Sequence, residues 1–327
     1  MKTTNENIEI VSPKNQLRLF GFEDYFNFFI KLYEKKELPN SILLSGPKGL
    51  GKSTFAYHII NYLLSNNEER KYCVKDFVID ETNLSYKLLS TNVHPNFFLI
   101  ENNLLEKDIK IEQIRNLLKF LNKSTYSRNL KVIMIDNAEN LNLNSSNALL
   151  KAIEEPQNNT FFFIIHNNTS KILDTVKSRC TEFKFALTTS RKKNIFANII
   201  RQYKNEFEIN EINEIIENYY FDTPGNLVKY LLALDKANIS ITENTLKCIY
   251  HFIEKYKNEK NPETLSFLSL FIEKFYNELC LNNNENLNKY FFNQSKILKR
   301  IDEVRRFNLD EKNIFIWIKD ILQNEAK

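Results

Sequence analysis

Residues 46–53 read Gly46-Pro47-Lys48-Gly49-Leu50-Gly51-Lys52-Ser53. Two glycines bracket a four-residue spacer and a Lys-Ser pair follows, which is the P-loop pattern GxxxxGK[ST]. Each residue type has a task. Glycines let the backbone curl so that several N–H groups point at one phosphate. Gly46, Gly49 and Gly51 are three of only five glycines in the chain. Lys52 places a positive charge beside the terminal phosphates, and the Ser53 hydroxyl can ligate Mg²⁺. Thr54 follows in the first turn of a helix whose N-terminal dipole faces the anion. Gly46, Gly49, Gly51, Lys52, Ser53 and Thr54 are therefore assigned to a nucleotide site.

The flanks supply the context that the loop needs. Residues 42–45 (ILLS) form a short apolar run leading into it. Residues 97–101, 131–136, 161–165 and 181–186 are similar runs, too short for helices and rich in Phe, Ile and Val. Each reads as a strand buried on both faces. Between them, residues 24–36 and 53–65 carry apolar side chains at three- and four-residue spacing. So do Ile111, Ile114, Leu117, Leu118 and Leu121, and then Leu149, Ala152 and Ile153, with Pro156 as the stop. Alternating strands and helices imply an α/β fold, a parallel sheet with helices on both sides. Asp136 closes the strand KVIMID and is placed to hold Mg²⁺ together with Ser53. The next residue, Asn137, carries an amide that cannot act as a general base, and Glu139 is not assigned that role.

After residue 187 no strand follows. Segments 190–204, 210–219 and 225–234 read as helices, and 242–327 as longer amphipathic helices with Asn-rich joints near 257–262 and 282–287. The expected division is residues 1–187 for the α/β P-loop domain, 188–238 for a small helical domain and 239–327 for a helical bundle. A length of 327 residues suits two or three domains.

Composition excludes several classes. An apolar content of 43% rules out global disorder. Five glycines and seven prolines rule out collagen-like chains and turn-rich sandwiches. Forty-five basic against 41 acidic side chains give a net charge of +4, a mixed surface rather than the field of a dedicated nucleic-acid binder. The clusters Arg191-Lys192-Lys193 and Arg305-Arg306 read as solvated helix faces. Cys73, Cys180, Cys248 and Cys280 contain no CxxC pair and demand no disulfide. Free thiols, no signal-peptide core and apolar runs of only about five residues predict a cytoplasmic protein.

The stretch Asn147-Ala-Leu-Leu-Lys-Ala-Ile-Glu-Glu-Pro156 resembles the NALLKxLEEP signature of bacterial clamp-loader subunits, a family of AAA+ proteins. Ser178-Arg179-Cys180 resembles their SRC motif, and His94-Pro95-Asn96 before a strand resembles their HPD segment. With the P-loop and Asp136 these landmarks stand in the family's order across residues 38–186. The resemblance implies an AAA+ domain, a helical lid and a C-terminal oligomerisation collar. It implies ATP or ADP with Mg²⁺ as cofactor. The implied partners are motor (gamma/tau) and delta-type subunits in a hetero-oligomeric ring, and through that ring a sliding clamp and primer-template DNA. It also implies that Arg179 is an arginine finger acting in trans, a task suited to a planar, permanently charged guanidinium.

Three departures from the motor subunits matter. Asn137 replaces the water-polarising Glu. Val228 replaces the sensor-2 Arg. His166-Asn167 stands where sensor-1 Thr is carried, and Asn167 is counted in the nucleotide site. The resemblance is thus to a non-motor subunit that binds nucleotide without hydrolysing it. Only Cys73 falls where many members carry a four-cysteine zinc module, so no zinc is expected. Two other readings stay open: an active motor ATPase of the same family, and an unrelated P-loop NTPase. Glu154 and Glu155 read as a surface helix end, and Cys180 as a buried small residue.

Overall fold

The computed structural model describes residues 11–102, 108–123, 130–168, 171–201, 223–236, 239, 243–282, 286–307 and 311–325. The expected helix at 210–219 lies outside them. The chain divides into two compact units, the first ending at Val228 and the second beginning at Lys229.

The first unit is built on five parallel strands: β1 (Ser41–Gly46), β2 (Phe97–Ile100), β3 (Lys131–Ile135), β4 (Thr160–Asn167) and β5 (Thr181–Lys184). Their order across the sheet is β2-β3-β4-β1-β5. Alternation along each strand sorts side chains to opposite faces. Ile42, Leu44, Val132, Met134, Phe161, Phe163 and Ile165 join one core. Helices α1 (Glu23–Glu34) and α2 (Lys52–Ser65) cover it with Phe26, Phe29, Phe55, Ile59 and Ile60. Leu43, Ile133, Ile135, Phe162 and Ile164 join the other, beneath α4 (Ile111–Leu121), α5 (Leu143–Glu154) and α6 (Asp174–Lys177). The short α3 (Leu84–Ser90) begins at Asn83, whose side chain accepts from the Tyr86 N–H. This is the three-layer parallel α/β architecture that the alternating pattern predicts.

One expectation needs correction. β1, β3 and β4 are buried throughout, but β2 is only partly covered and β5 has two exposed and two half-buried residues. The strand order makes these two the sheet edges, and an edge strand lacks a neighbour on one side.

Helix α7 (Thr189–Ile200) follows β5, capped by the Thr188 hydroxyl accepting from the Arg191 N–H, and α8 (Pro224–Lys236) spans the division between the units. The second unit holds α9 (Thr245–Glu259), α10 (Pro262–Asn282), α11 (Leu287–Phe307) and α12 (Glu311–Glu325). Its core is made by residues at helical spacing, such as Ile249, Phe252, Ile253 and Tyr256 on α9 and Leu265, Leu268, Phe271 and Ile272 on α10. The Phe252 and Phe271 rings lie 4.9 Å apart, and Tyr256 meets Phe315 edge-on at 5.7 Å.

Candidate nucleotide site

The site sits at the carboxyl ends of three adjacent strands, β3, β4 and β1, where open α/β sheets place ligands. β1 ends at Gly46 and the P-loop runs to Gly51, which caps α2 with φ of 97°. Gly49 has φ of 80°. Both conformations favour glycine, so the motif's glycines are there for backbone reasons.

Lys52 is 3% exposed. Its Nζ donates to the carbonyls of Gly46 (2.8 Å) and Pro47 (2.7 Å) and to Asn167 Oδ1 (2.9 Å). Burial pulls its ammonium down to about 8, against the upward pull of Glu139 and Asp136. The Ser53 hydroxyl donates to both carboxylate oxygens of Asp136, at 3.2 and 3.1 Å. Burial raises the Asp136 carboxyl above its usual range, while the Ser53 and Asn137 donors oppose that rise. Thr54 is half-buried in the first turn of α2.

Asn137 takes a left-handed conformation, φ 55° and ψ 54°, which Asn tolerates better than most residues. Its N–H donates to Asp136 Oδ1 at 2.9 Å. Asn167 then links the strands. Its Nδ2 donates to Asn137 Oδ1 (3.0 Å) and to Glu139 Oε1 (2.5 Å), and its backbone N–H to Glu139 Oε2 (3.1 Å). The structure therefore brings Gly46, Lys52, Ser53, Asp136 and Asn167 into one network. Glu139, which the sequence did not place there, belongs to it. Asn137's left-handed backbone leads from β3 into a short 3-10 turn, Ala138–Asn140, and nothing in the spacing announces that turn.

The group that this arrangement fits is a nucleotide phosphate with its divalent cation. Gly49 and Gly51 take the left-handed backbone that a phosphate loop uses, Lys52 is the buried cation, and Ser53 with Asp136 is an oxygen pair suited to Mg²⁺. Among the described residues no cluster of three or more His, Cys, Asp or Glu could hold a metal by itself. The oxygen pair needs phosphate and water to complete a coordination sphere.

Arg179 lies elsewhere, after α6. Its Nε donates to Glu154 Oε2 at 2.9 Å and its Nη1 to the Thr175 carbonyl at 3.1 Å. Glu154 is the exposed surface helix end expected from the sequence, and it carries this ion pair as well. Val228 is buried at 3% exposure, and Cys180 is half-buried with its thiol pushed up to about 12 by burial. Arg191 pairs with Asp24 at 2.9 Å. The side chains of Arg305 and Arg306 lie outside the described residues.

A profile of the family described as "DNA polymerase III, delta subunit" matches residues 22–189. The chain belongs to this family. The DNA polymerase III subunit delta' of Pseudomonas aeruginosa (strain PAO1) is 33% identical over 150 residues, 44% of this chain and 42% of that protein. The namesake subunit of Buchnera aphidicola subsp. Schizaphis graminum is 27% identical over 284 residues, 77% of this chain and 83% of that one. The match therefore spans less than half of the Pseudomonas protein and most of the Buchnera one. A gamma-subunit-related protein from Thermotoga maritima aligns with 91% of this chain and 99% of its own length, at 16% identity and a TM-score of 0.47. The clamp-loader resemblance read from the NALLKAIEEP and SRC landmarks agrees with this membership of the DNA polymerase III delta family.

Proposed function

We propose that this chain is a delta-prime-type clamp-loader subunit that binds ATP or ADP with Mg²⁺, does not turn it over, and supplies Arg179 to the nucleotide site of a neighbouring subunit. The observation that carries the silent half is the state of Asn137. It follows Asp136 where the motor subunits carry a carboxylate, and its amide is tied to Asn167. An amide has no basic lone pair with which to polarise water. Glu139, the next carboxylate along the chain, already accepts two hydrogen bonds from Asn167.

Binding rests on this chain's own residues. Lys52 is a buried cation that trades three internal acceptors for phosphate oxygens. Ser53 and Asp136 hold the cation, and Mg²⁺ when bound neutralises charge between the phosphates. Without a base the site serves as a structural ligand site that braces the α/β unit.

The partners are motor and delta-type subunits in a hetero-oligomeric ring in the cytoplasm, and through the ring a sliding clamp and primed DNA. The proposed division is an AAA+ domain to residue 187, a lid to 238 and an oligomerisation collar beyond. Exposed apolar side chains on the second unit support the collar assignment. Phe291 and Phe292 are 72% and 66% exposed on α11, and Ile316 is exposed on α12. Adjacent exposed aromatics on one helix are suited to a protein contact.

The test is calorimetric titration with Mg-ATP and Mg-ADP, followed by a turnover assay on the purified chain. Binding that Lys52→Ala abolishes, with no sustained turnover, is the expected result. Turnover lost in Lys52→Ala would refute the silent-subunit reading, and its loss in Glu139→Gln would assign the base to Glu139.

A further inference from the structure

The segment that opens α8 packs directly on the P-loop, 175 residues away in sequence. The Thr223 hydroxyl donates to the Lys48 carbonyl at 2.9 Å, and the Gly225 N–H donates to the Gly49 carbonyl at 2.9 Å. Thr223 is 5% exposed. Neither surface has room for a side chain. A Cβ on Gly225 would lie 2.7 Å from the Gly49 carbonyl oxygen. A Cβ on Gly49 would lie 2.5 Å from Thr223 Oγ1 and 2.9 Å from Asn226 Oδ1. Two of the chain's five glycines thus face each other.

Peptide geometry gives this contact a consequence. In a trans peptide the C=O and the following N–H point in opposite directions, and none of the described peptides is cis. Holding the Lys48 and Gly49 carbonyls against α8 therefore turns the N–H groups of Gly49 and Leu50 the other way. Those are donors that a phosphate cradle must present. The segment does this with a hydroxyl and a backbone N–H, while Val228, where motor subunits carry a cation, is an apolar residue only 3% exposed.

We infer that Thr223 and Gly225 are positioning residues of the phosphate cradle. They fix the orientation of the 48–49 and 49–50 peptides, and so couple the P-loop to the start of α8. The ligand is the phosphate chain of a nucleotide, and to that extent the inference rests on the binding reading above.

The experiment uses the full chain. Hydrogen exchange of the nucleotide-free protein reports the P-loop directly, because local opening exposes its amides. Thr223→Val keeps the shape and removes the donor. A hydrogen bond's net contribution corresponds to roughly three- to tenfold, so exchange across residues 46–51 should quicken by that factor while β4 and the rest of α2 stay unchanged. The Mg-ADP dissociation constant should rise by the same factor. Thr223→Ser restores the hydroxyl and should restore both values. Gly225→Ala must displace the Gly49 carbonyl and should exceed Thr223→Val in both readouts. Unchanged P-loop exchange in Thr223→Val would overturn the inference. So would acceleration spread evenly over the unit, which would mean general loosening. If the wild-type chain binds no Mg-ADP, the binding reading fails, and the exchange measurement still decides whether Thr223 and Gly225 set the loop.

Discussion

Arg179 and Glu154 form an ion pair at 2.9 Å that joins the two landmarks NALLKAIEEP and SRC. The side chains are 33% and 54% exposed. Pairs this open contribute about 0–1 kcal/mol, so the guanidinium is held in place yet free to exchange Glu154 for a phosphate. Arg179→Ala should leave the melting temperature of the isolated chain within about 3 °C of wild type. It should lower the ATPase of a reconstituted clamp loader in which only this subunit is altered. Arginine fingers contribute about 10³–10⁵ in GTPase systems, but a ring has several sites, so the loss in the whole complex is partial. Arg179→Lys should recover little, because an ammonium lacks the planar pair of donors. Unchanged complex activity would reduce Arg179 to a structural partner of Glu154.

Nucleotide affinity should depend on pH through Lys52. Its ammonium titrates near 8 in the free site because burial disfavours the charge. Phosphate binding requires the charged form. Affinity should be flat below pH 8 and weaken above it, by at most tenfold per pH unit. Calorimetry from pH 7 to 9.5 in buffers of different ionisation enthalpy would also show a proton taken up on binding. A flat profile would mean that Lys52 does not meet the phosphates as a cation.

His58 predicts an acid-sensitive fold. It is fully buried, with Nε2 2.9 Å from the Gln16 carbonyl and Nδ1 2.9 Å from the Tyr72 hydroxyl. The neutral ring satisfies both by donating from Nε2 and accepting at Nδ1. Burial moves its pKa from 6.5 down to about 4, only partly offset by the Gln16 carbonyl. The unfolded chain therefore binds the extra proton first. The His58 contribution is complete above pH 6.5 and is lost as pH falls from 6.5 towards 4, at no more than about 1.4 kcal/mol per pH unit. Urea midpoints of wild type should fall more steeply over that window than those of His58→Gln. Parallel curves would show that His58 does not titrate on unfolding.

The exposed aromatics of α11 give a test of assembly. Replacing Phe291 and Phe292 together with Ser removes apolar surface that the isolated chain already exposes. The melting temperature should hold or rise slightly, while association with the other loader subunits weakens by tenfold or more. Sedimentation of the mixed subunits measures it. Undiminished assembly would place the collar contact on another face.

Much of the core was legible in the sequence because burial on two faces leaves an unmistakable apolar run. β1, β3 and β4 show it. β2 and β5 looked alike in composition but lie at the edges, since Phe97, Phe98 and Phe183 carry no mark of strand order. The P-loop was legible because its motif encodes local backbone geometry. Glu139 was not, because its arrival beside Asn167 depends on one left-handed residue at Asn137. Thr223 and Gly225 were invisible for a different reason: a contact across 175 residues has no local signature. Glu154 was read as a surface helix end and is one; its pairing with Arg179 was not legible, because only the turn after α6 brings Arg179 to it.

The place of β1 inside the sheet also governs how the chain can be made. Ser41 pairs with Phe162 and Ile42 with both Phe163 and Thr181, so neither neighbour of β1 exists when β1 leaves the ribosome. Synthesis at about 5–20 residues per second puts on the order of ten seconds between the P-loop and the strands that flank its base. During that interval β1 offers two unsatisfied backbone edges, and the face carrying Leu43 lacks the later helices that cover it. The P-loop is translated early yet the phosphate site is completed late, and premature termination before β5 yields a nascent chain suited to chaperone capture or aggregation rather than to nucleotide.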